Sequence, residues 1–269
     1  MRAGVKSAAV GARVARGSFL SAVRAEALKS KHGAPVKLAV IMALPFPLLA
    51  LFAAVSDPQF GLSYTPWNYW YALLMPVMIS LMSATVANAD ARLGNRALLS
   101  SGVSLRRAWC AKVVWCLMLS LASNLIVFGV YAVASSVVPV GAAGVPEMLS
   151  AALAVTLTSA WMIPATLLLS MSAGMLAGIF IPLATQIALS FGWSAIPFWP
   201  ACPPAATIIL PTAFLPVLPS GEPLSEGMDV VASIGQFGGM SLVALAVAAV
   251  ALAVLTMVGA VWLSRSEER

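Results

Sequence analysis

Charge is scarce in this chain. Asp, Glu, Lys and Arg make up 9% of its 269 residues, where a soluble domain of that length carries roughly a quarter. So few charges could not cover a surface in water. Histidine occurs once, as His32, and cysteine three times, as Cys110, Cys116 and Cys202, with no CxxC pair. A zinc site therefore has almost no ligands to draw on. The topology derived below separates Cys202 from Cys110, so a structural disulfide is not expected. A phosphate-binding loop is missing too, because Lys6-Ser7 and Lys29-Ser30 lack the preceding glycines. Without a nucleophile, base or metal set in an apolar run, an intramembrane protease or lipid-modifying enzyme has nothing to work with. The chain is expected to be no enzyme and to bind no cofactor itself.

Apolar residues, by contrast, fill 61% of the sequence, and the mean hydropathy is +0.97. Lipid is the solvent that fits. The predicted class is an all-α integral membrane protein with six transmembrane helices, both termini cytoplasmic. A bilayer core of about 30 Å needs about 20 helical residues. The six segments are Leu38–Val55, Trp67–Ala87, Val113–Val138, Met148–Met171, Gly174–Trp193 and Gly238–Leu263, and none contains Asp, Glu, Lys or Arg. A very short turn at Ser172 and Ala173 makes the fourth and fifth a tight antiparallel pair. Residues 18–269 are expected to form one domain behind an extension, Met1–Gly17, that is expected to be disordered, and no cleavable signal peptide is expected.

The positive-inside rule orients the set. Eight basic residues precede the first segment, five (Arg92, Arg96, Arg106, Arg107, Lys112) lie between the second and third, and two follow the sixth. Together these are all 15. The opposite loops carry only Asp57, Glu147, Glu222, Glu226 and Asp229. The +6 net charge thus marks topology, and the lack of aromatic interleaving argues against nucleic acid. Ion-coupled transport usually leaves ionisable groups inside the membrane, and here the interior offers Asn124, Gln186 and scattered Ser and Thr.

Ser18–Ser30 reads as an interfacial helix, with Phe19, Leu20, Val23, Ala27 and Leu28 on one face and Arg24, Lys29 and Lys31 toward water and lipid phosphates. In the loop from Asn88 to Lys112, a short helix over Arg96–Ser101, broken at Gly102, would present Leu98 and Leu99 to a partner groove, with Ser104 capping the returning helix. Tyr64, Trp67, Tyr69, Trp70 and Tyr71 cluster where the second segment begins, as interfacial anchors or as the lining of a substrate-access site formed by Trp67, Trp70 and Tyr71. The stretch from Ile196 to Pro223 holds eight prolines and is expected to be re-entrant, folding back as short broken helices. Ser170, Gly174 and Gly178 form a small-residue row suited to close packing against the fourth segment, or to a dimer seam.

Several stretches resemble the permease subunits of type 2 ABC exporters, and more narrowly the lantibiotic-immunity permeases. They are Ala25-Glu26-Ala27-Leu28-Lys29 within Phe19–Lys31, Pro66-Trp67-Asn68-Tyr69-Trp70-Tyr71 with Leu74-Met75-Pro76, and Asn95–Ser104 with Trp109 and Lys112 beyond; Leu218–Leu224 is a weaker fourth. Gly102 stands where the family has Pro, Ser220 where it has Asn, and Asp90 where such exporters often have Glu. The resemblance implies a connecting helix bearing Phe19, Arg24, Glu26, Leu28 and Lys29. It implies an ATPase-coupling element of Asp90, Arg96, Leu98, Leu99, Gly102 and Ser104. It also implies a separate ATPase subunit that binds ATP, a second permease chain, related or identical, and a bacterial plasma membrane location. The cargo would be a lantibiotic or similar amphipathic peptide expelled for self-immunity. A non-transporting immunity scaffold that binds the peptide, a secondary transporter, and an ABC permease for a lipid or drug remain alternatives. A single cysteine introduced at Arg106 is expected to react with an impermeant thiol reagent only from the cytoplasmic side; labelling from outside would overturn the orientation.

Overall fold

The computed structural model describes residues 18–92, 104–224 and 236–266. The expected disordered extension, and Arg96, Leu98, Leu99 and Gly102 of the expected coupling element, lie outside these residues. Among the described residues every regular element is helical, and the only extended pairing is an isolated bridge between Val217 and Pro223.

Helix α1 (Phe19–Ser30) starts at Ser18, whose hydroxyl oxygen accepts from the Ser21 amide at 3.2 Å. The first apolar run is α2 (Ala34–Ile41) followed by α3 (Pro45–Ser56). Pro45 and Pro47 lack amide hydrogens, so α3 begins with them and α2 ends before them. The break leaves carbonyls without helical donors, and the Ser123 hydroxyl donates to that of Ala39 at 2.9 Å. The second run is α4 (Thr65–Tyr69), a π-turn over Trp70–Leu74, and α5 (Met75–Arg92). The π-turn falls directly before Pro76, and the Met75 amide reaches back five residues to the Trp70 carbonyl.

The third run is one uninterrupted helix, α6 (Leu105–Val137). The fourth divides into α7 (Val145–Ser159) and α8 (Met162–Ser172). Pro164 cannot donate to the Ala160 carbonyl, and the chain there switches to shorter bonds such as Ile163 to Ala160. Helix α9 (Met175–Phe191) follows after two residues. Gly174 makes that reversal possible with φ 97°, a conformation other residues rarely adopt. The last run is α11 (Gly239–Ser266). Between α9 and α11 the proline-rich stretch forms 3-10 turns at Trp193–Ala195, Trp199–Ala201 and Leu210–Ala213, with α10 (Pro203–Ile209) among them. All of α10 except Pro203 is buried, so these broken helices are a packed part of the bundle.

Among the described residues, five runs are long and apolar enough to cross a membrane: Ala34–Ser56, Thr65–Ala89, Leu105–Val137, Val145–Ser172 and Gly239–Arg265. Helix α9, the expected fifth span, is shorter, at 17 residues.

The core centres on the second and fourth runs. Trp67, Trp70, Tyr71, Met75, Met78, Met82, Met148 and Met162 are fully enclosed. Tyr131 of α6 stacks on Tyr64 and Trp67, with ring centroids 5.2 and 4.6 Å away. Small residues set the closest approaches. A Cβ on Gly178 of α9 would stand 2.7 Å from the Ser170 amide nitrogen of α8, so these two of the three small residues pack closely within the chain, while Gly174 faces open space. A Cβ on Gly259 of α11 would overlap the Trp109 indole of α6, whose Nε1 donates to the Thr256 carbonyl at 2.8 Å. Gly178→Leu is expected to cost about 1–3 kcal/mol by overpacking, read as a lower melting temperature in neutral detergent. Gly129→Ala, which meets nothing within 4 Å, should leave the melting temperature unchanged or slightly raised.

Candidate functional site

Among the described residues, four polar clusters interrupt the apolar interior. The first joins α1 to α6. Lys112 is 2% exposed and Glu26 4%, and the Lys112 Nζ lies 3.2 Å from the Glu26 Oε2 and 3.5 Å from the Val86 carbonyl of α5. Lys29 approaches the other Glu26 oxygen, Oε1, at 2.9 Å. Glu26 faces inward because Ala22, Glu26 and Ser30 follow one another at four-residue spacing on the side of α1 that packs against α6. Phe19, Leu20 and Leu28 are left exposed, the surface expected of a helix lying in a lipid interface. Arg24 is exposed as well. Beside the pair a cavity of about 270 Å³ opens between Glu26, Lys29, Pro35, Thr85 and Asn88.

The second cluster lies deep in the bundle. The Trp70 Nε1 donates to the Asn124 Oδ1 at 2.9 Å, and the Asn124 Nδ2 donates to the Thr156 Oγ1 at 3.0 Å. One amide side chain, 1% exposed, thus ties together the second, third and fourth runs. Along α6, Lys112, Cys116, Ser120, Ser123 and Asn124 share a buried face, so a polar seam leads from the ion pair to this amide.

The third cluster lies at the other end of the second run, 18 residues from Val86 and so about 27 Å along the helix. The Asn68 Nδ2 donates to the Tyr71 hydroxyl at 2.9 Å and to the Leu218 and Pro219 carbonyls at 3.2 and 3.4 Å. Thr65 Oγ1 donates to the Gly221 carbonyl at 2.7 Å. Gly221 has φ 91°, and a Cβ there would press within 3.3 Å of the Asn68 Oδ1. Leu218–Leu224 is therefore a tight hairpin clamped onto the start of the second run. Nearby, burial raises the Tyr64 phenol above its usual pKa, while the Ala143 amide that donates to it at 2.8 Å acts in the opposite direction.

A fourth set of contacts links α9 to α10. Gln186 accepts from the Trp161 Nε1 at 3.1 Å and donates to Ser190, which donates to the Pro204 carbonyl at 2.8 Å. Asn124 and Gln186, the two polar interior residues prominent in the sequence, are thus both committed to packing between helices.

Two expected roles need correction. Trp67, Trp70 and Tyr71 are 0% exposed, so in the single chain they neither anchor an interface nor line an open access path; only Tyr69 of the expected anchors is exposed. Their rings pack on Tyr64 and Tyr131 or bond to Asn124 and Asn68, which holds them inside. Ser104 does occupy the N-cap position of α6, but its side chain makes no capping bond; its carbonyl accepts from Arg107 and Ala108. Asp90 falls within the last turn of α5.

The ion pair was missed in the sequence because Lys112 reads as the last loop cation before an apolar run. Its register was legible. Trp109, Lys112, Cys116 and Ser120 recur at spacings of three and four on the buried face of one helix.

No family model matches the chain, and neither a characterised protein nor a solved structure matches it. The class defined by fold and composition is a multi-helix protein of transmembrane type.

Removing one partner of a buried ion pair strands the other charge, at a cost of about 3–5 kcal/mol. Glu26→Leu should therefore lower the melting temperature markedly, and adding Lys112→Met should recover most of the loss. No recovery in the double variant would show that the two side chains are not energetically coupled.

Proposed function

We propose that this chain is the membrane permease subunit of an ATP-driven exporter, with six spans and both termini in the cytoplasm of a bacterial cell. It works with a separate ATP-hydrolysing subunit and a second permease chain. Its cargo is a lantibiotic or similar amphipathic peptide, expelled to protect the producing cell. The stretches that resemble lantibiotic-immunity permeases support the family, and the placement of all 15 basic residues on one side of the six expected segments supports the orientation. Helix α9 is roughly 26 Å long; it completes the crossing with the turn at Trp193–Ala195 that extends it.

One observation carries the mechanism: the Glu26–Lys112 contact. It fastens the helix preceding the first span to α6, two turns beyond the loop that joins α5 to α6. An ATPase subunit pressing on that loop would move α1 and α6 as a unit, because separating them uncovers a buried charge. From Lys112 the polar seam continues to Asn124, which connects three spans. The energy comes from the partner, and this chain supplies the levers and apolar walls along which an amphipathic peptide leaves the lipid.

In the double variant Leu98→Glu, Leu99→Glu, resistance to the peptide should vanish and the ATPase should no longer copurify with the tagged chain, while membrane insertion stays intact. Unchanged resistance would instead favour a scaffold that binds the peptide without transport, and resistance that survives ATP depletion but not loss of the proton gradient would favour a secondary transporter.

A further inference from the structure

At the Asn68 end of the bundle, a cavity of about 260 Å³ lies between α4, the end of α9 and the hairpin. Tyr69, Phe191 and Trp193 contribute aromatic wall, and Asn68, Pro219 and Ser220 contribute the polar positions. Asn68 is 2% exposed and commits its Nδ2 to Tyr71, Leu218 and Pro219. No donor among the described residues reaches its Oδ1, which faces the open space beside Gly221 and so stays available as an acceptor next to the cavity. No cation of this chain is near in sequence, since the basic residues fall at 2–37, 92–112 and 265–269. The adjacent formal charge along the chain is the exposed carboxylate of Glu222.

Aromatic faces carry negative charge density and attract cations. A carboxylate or phosphate would find no counter-charge here, and a purely apolar group would leave the Asn68 oxygen unmatched. An ammonium satisfies both. The volume is below the roughly 300–1,000 Å³ of sites that enclose a whole drug-sized ligand, so the cavity suits one head group or side chain. The rest of the molecule would extend past Phe191 and Tyr69, which are 58% and 42% exposed.

We propose that this cavity binds the primary ammonium group of an amphipathic amine. The rings of Tyr69, Phe191 and Trp193 hold the charge, and the Asn68 Oδ1 accepts one of its N–H bonds. That hydrogen bond selects a primary amine, as on a lysine side chain or a peptide N-terminus, over the quaternary ammonium of a choline lipid. Assigning the amine to exported cargo rests on the exporter reading; the binding itself does not.

Isothermal titration of the purified chain in neutral detergent with octylammonium, octyltrimethylammonium and octanol tests this without any ATPase. Octylammonium should bind saturably and tightest, and octanol weakest. Trp193→Leu should weaken octylammonium binding about 2- to 30-fold, and Trp193→Phe should retain most of it, with melting curves confirming that both variants fold. Equal binding of octanol, or no effect of Trp193→Leu in a folded protein, would overturn the site, and tighter binding of octyltrimethylammonium would overturn its preference for a primary amine. Because the titration is independent of the resistance assay on the Leu98 and Leu99 variant, either result can fail alone.

Discussion

Lipid offers no hydrogen bonds, so a polar group inside a bundle of this kind is stabilised where another part of the same chain matches it. That constraint accounts for most of the specific contacts. A proline break can free a carbonyl for a neighbouring element, as where Ser123 serves Ala39, and Ser190 of α9 likewise reaches the Pro204 carbonyl of α10. The interior amides join separate elements. Asn124 joins three runs, Asn68 fixes a hairpin, and Gln186 links Trp161 to Ser190. Apolar contact between helices distinguishes poorly among partners in such a solvent, because lipid tails are as apolar as Leu. The few polar bonds and the glycine contacts therefore specify which faces meet.

The Glu26–Lys112 pair extends the same rule to charge. Two ions out of water gain little net stability from each other, because desolvation offsets their attraction. What they provide is register. Helix α1 has an exposed apolar side and would otherwise be free to roll or slide on the surface of the bundle. With Glu26 fixed between Lys29 and Lys112, its orientation relative to α6 is determined. A surface helix held in this way can pass displacement inward.

Sequence made the helices legible because the absence of charge over 20 residues is a strong signal, and the same counting put a short turn at Ser172 and Ala173, one residue ahead of the joint at Ala173 and Gly174. The broken helices of the proline-rich stretch were also legible, since Pro204 and Pro211 cannot continue an ordinary helix. Facing directions were harder to read. A ring at the end of an apolar segment fits an interface or a core equally well, and only tertiary packing places Trp67 and Tyr71 inside. The Lys112 pair and the clamp between Asn68 and Leu218 join residues 86 and 150 positions apart. No local pattern specifies which distant element arrives. The two stretches Pro66–Tyr71 and Leu218–Leu224, noted separately for their family resemblance, turn out to touch.

Helix α11 stands apart from these constraints. Only 17% of its most apolar window is buried, against 67% for Val145–Ser172, and Leu242, Val250, Val254, Met257 and Val261 all point away from the bundle. Beyond the three small residues Ala244, Ala248 and Gly259, and the packed Ser241, Leu252, Ala260, Trp262 and Leu263, its side chains answer to greasiness rather than shape. Such a helix can drift through Leu, Val, Ile and Met over generations with little penalty, much as a water-facing surface drifts among Lys, Glu and Gln. Substitutions should therefore accumulate fastest along its outward stripe and slowest at those three small residues.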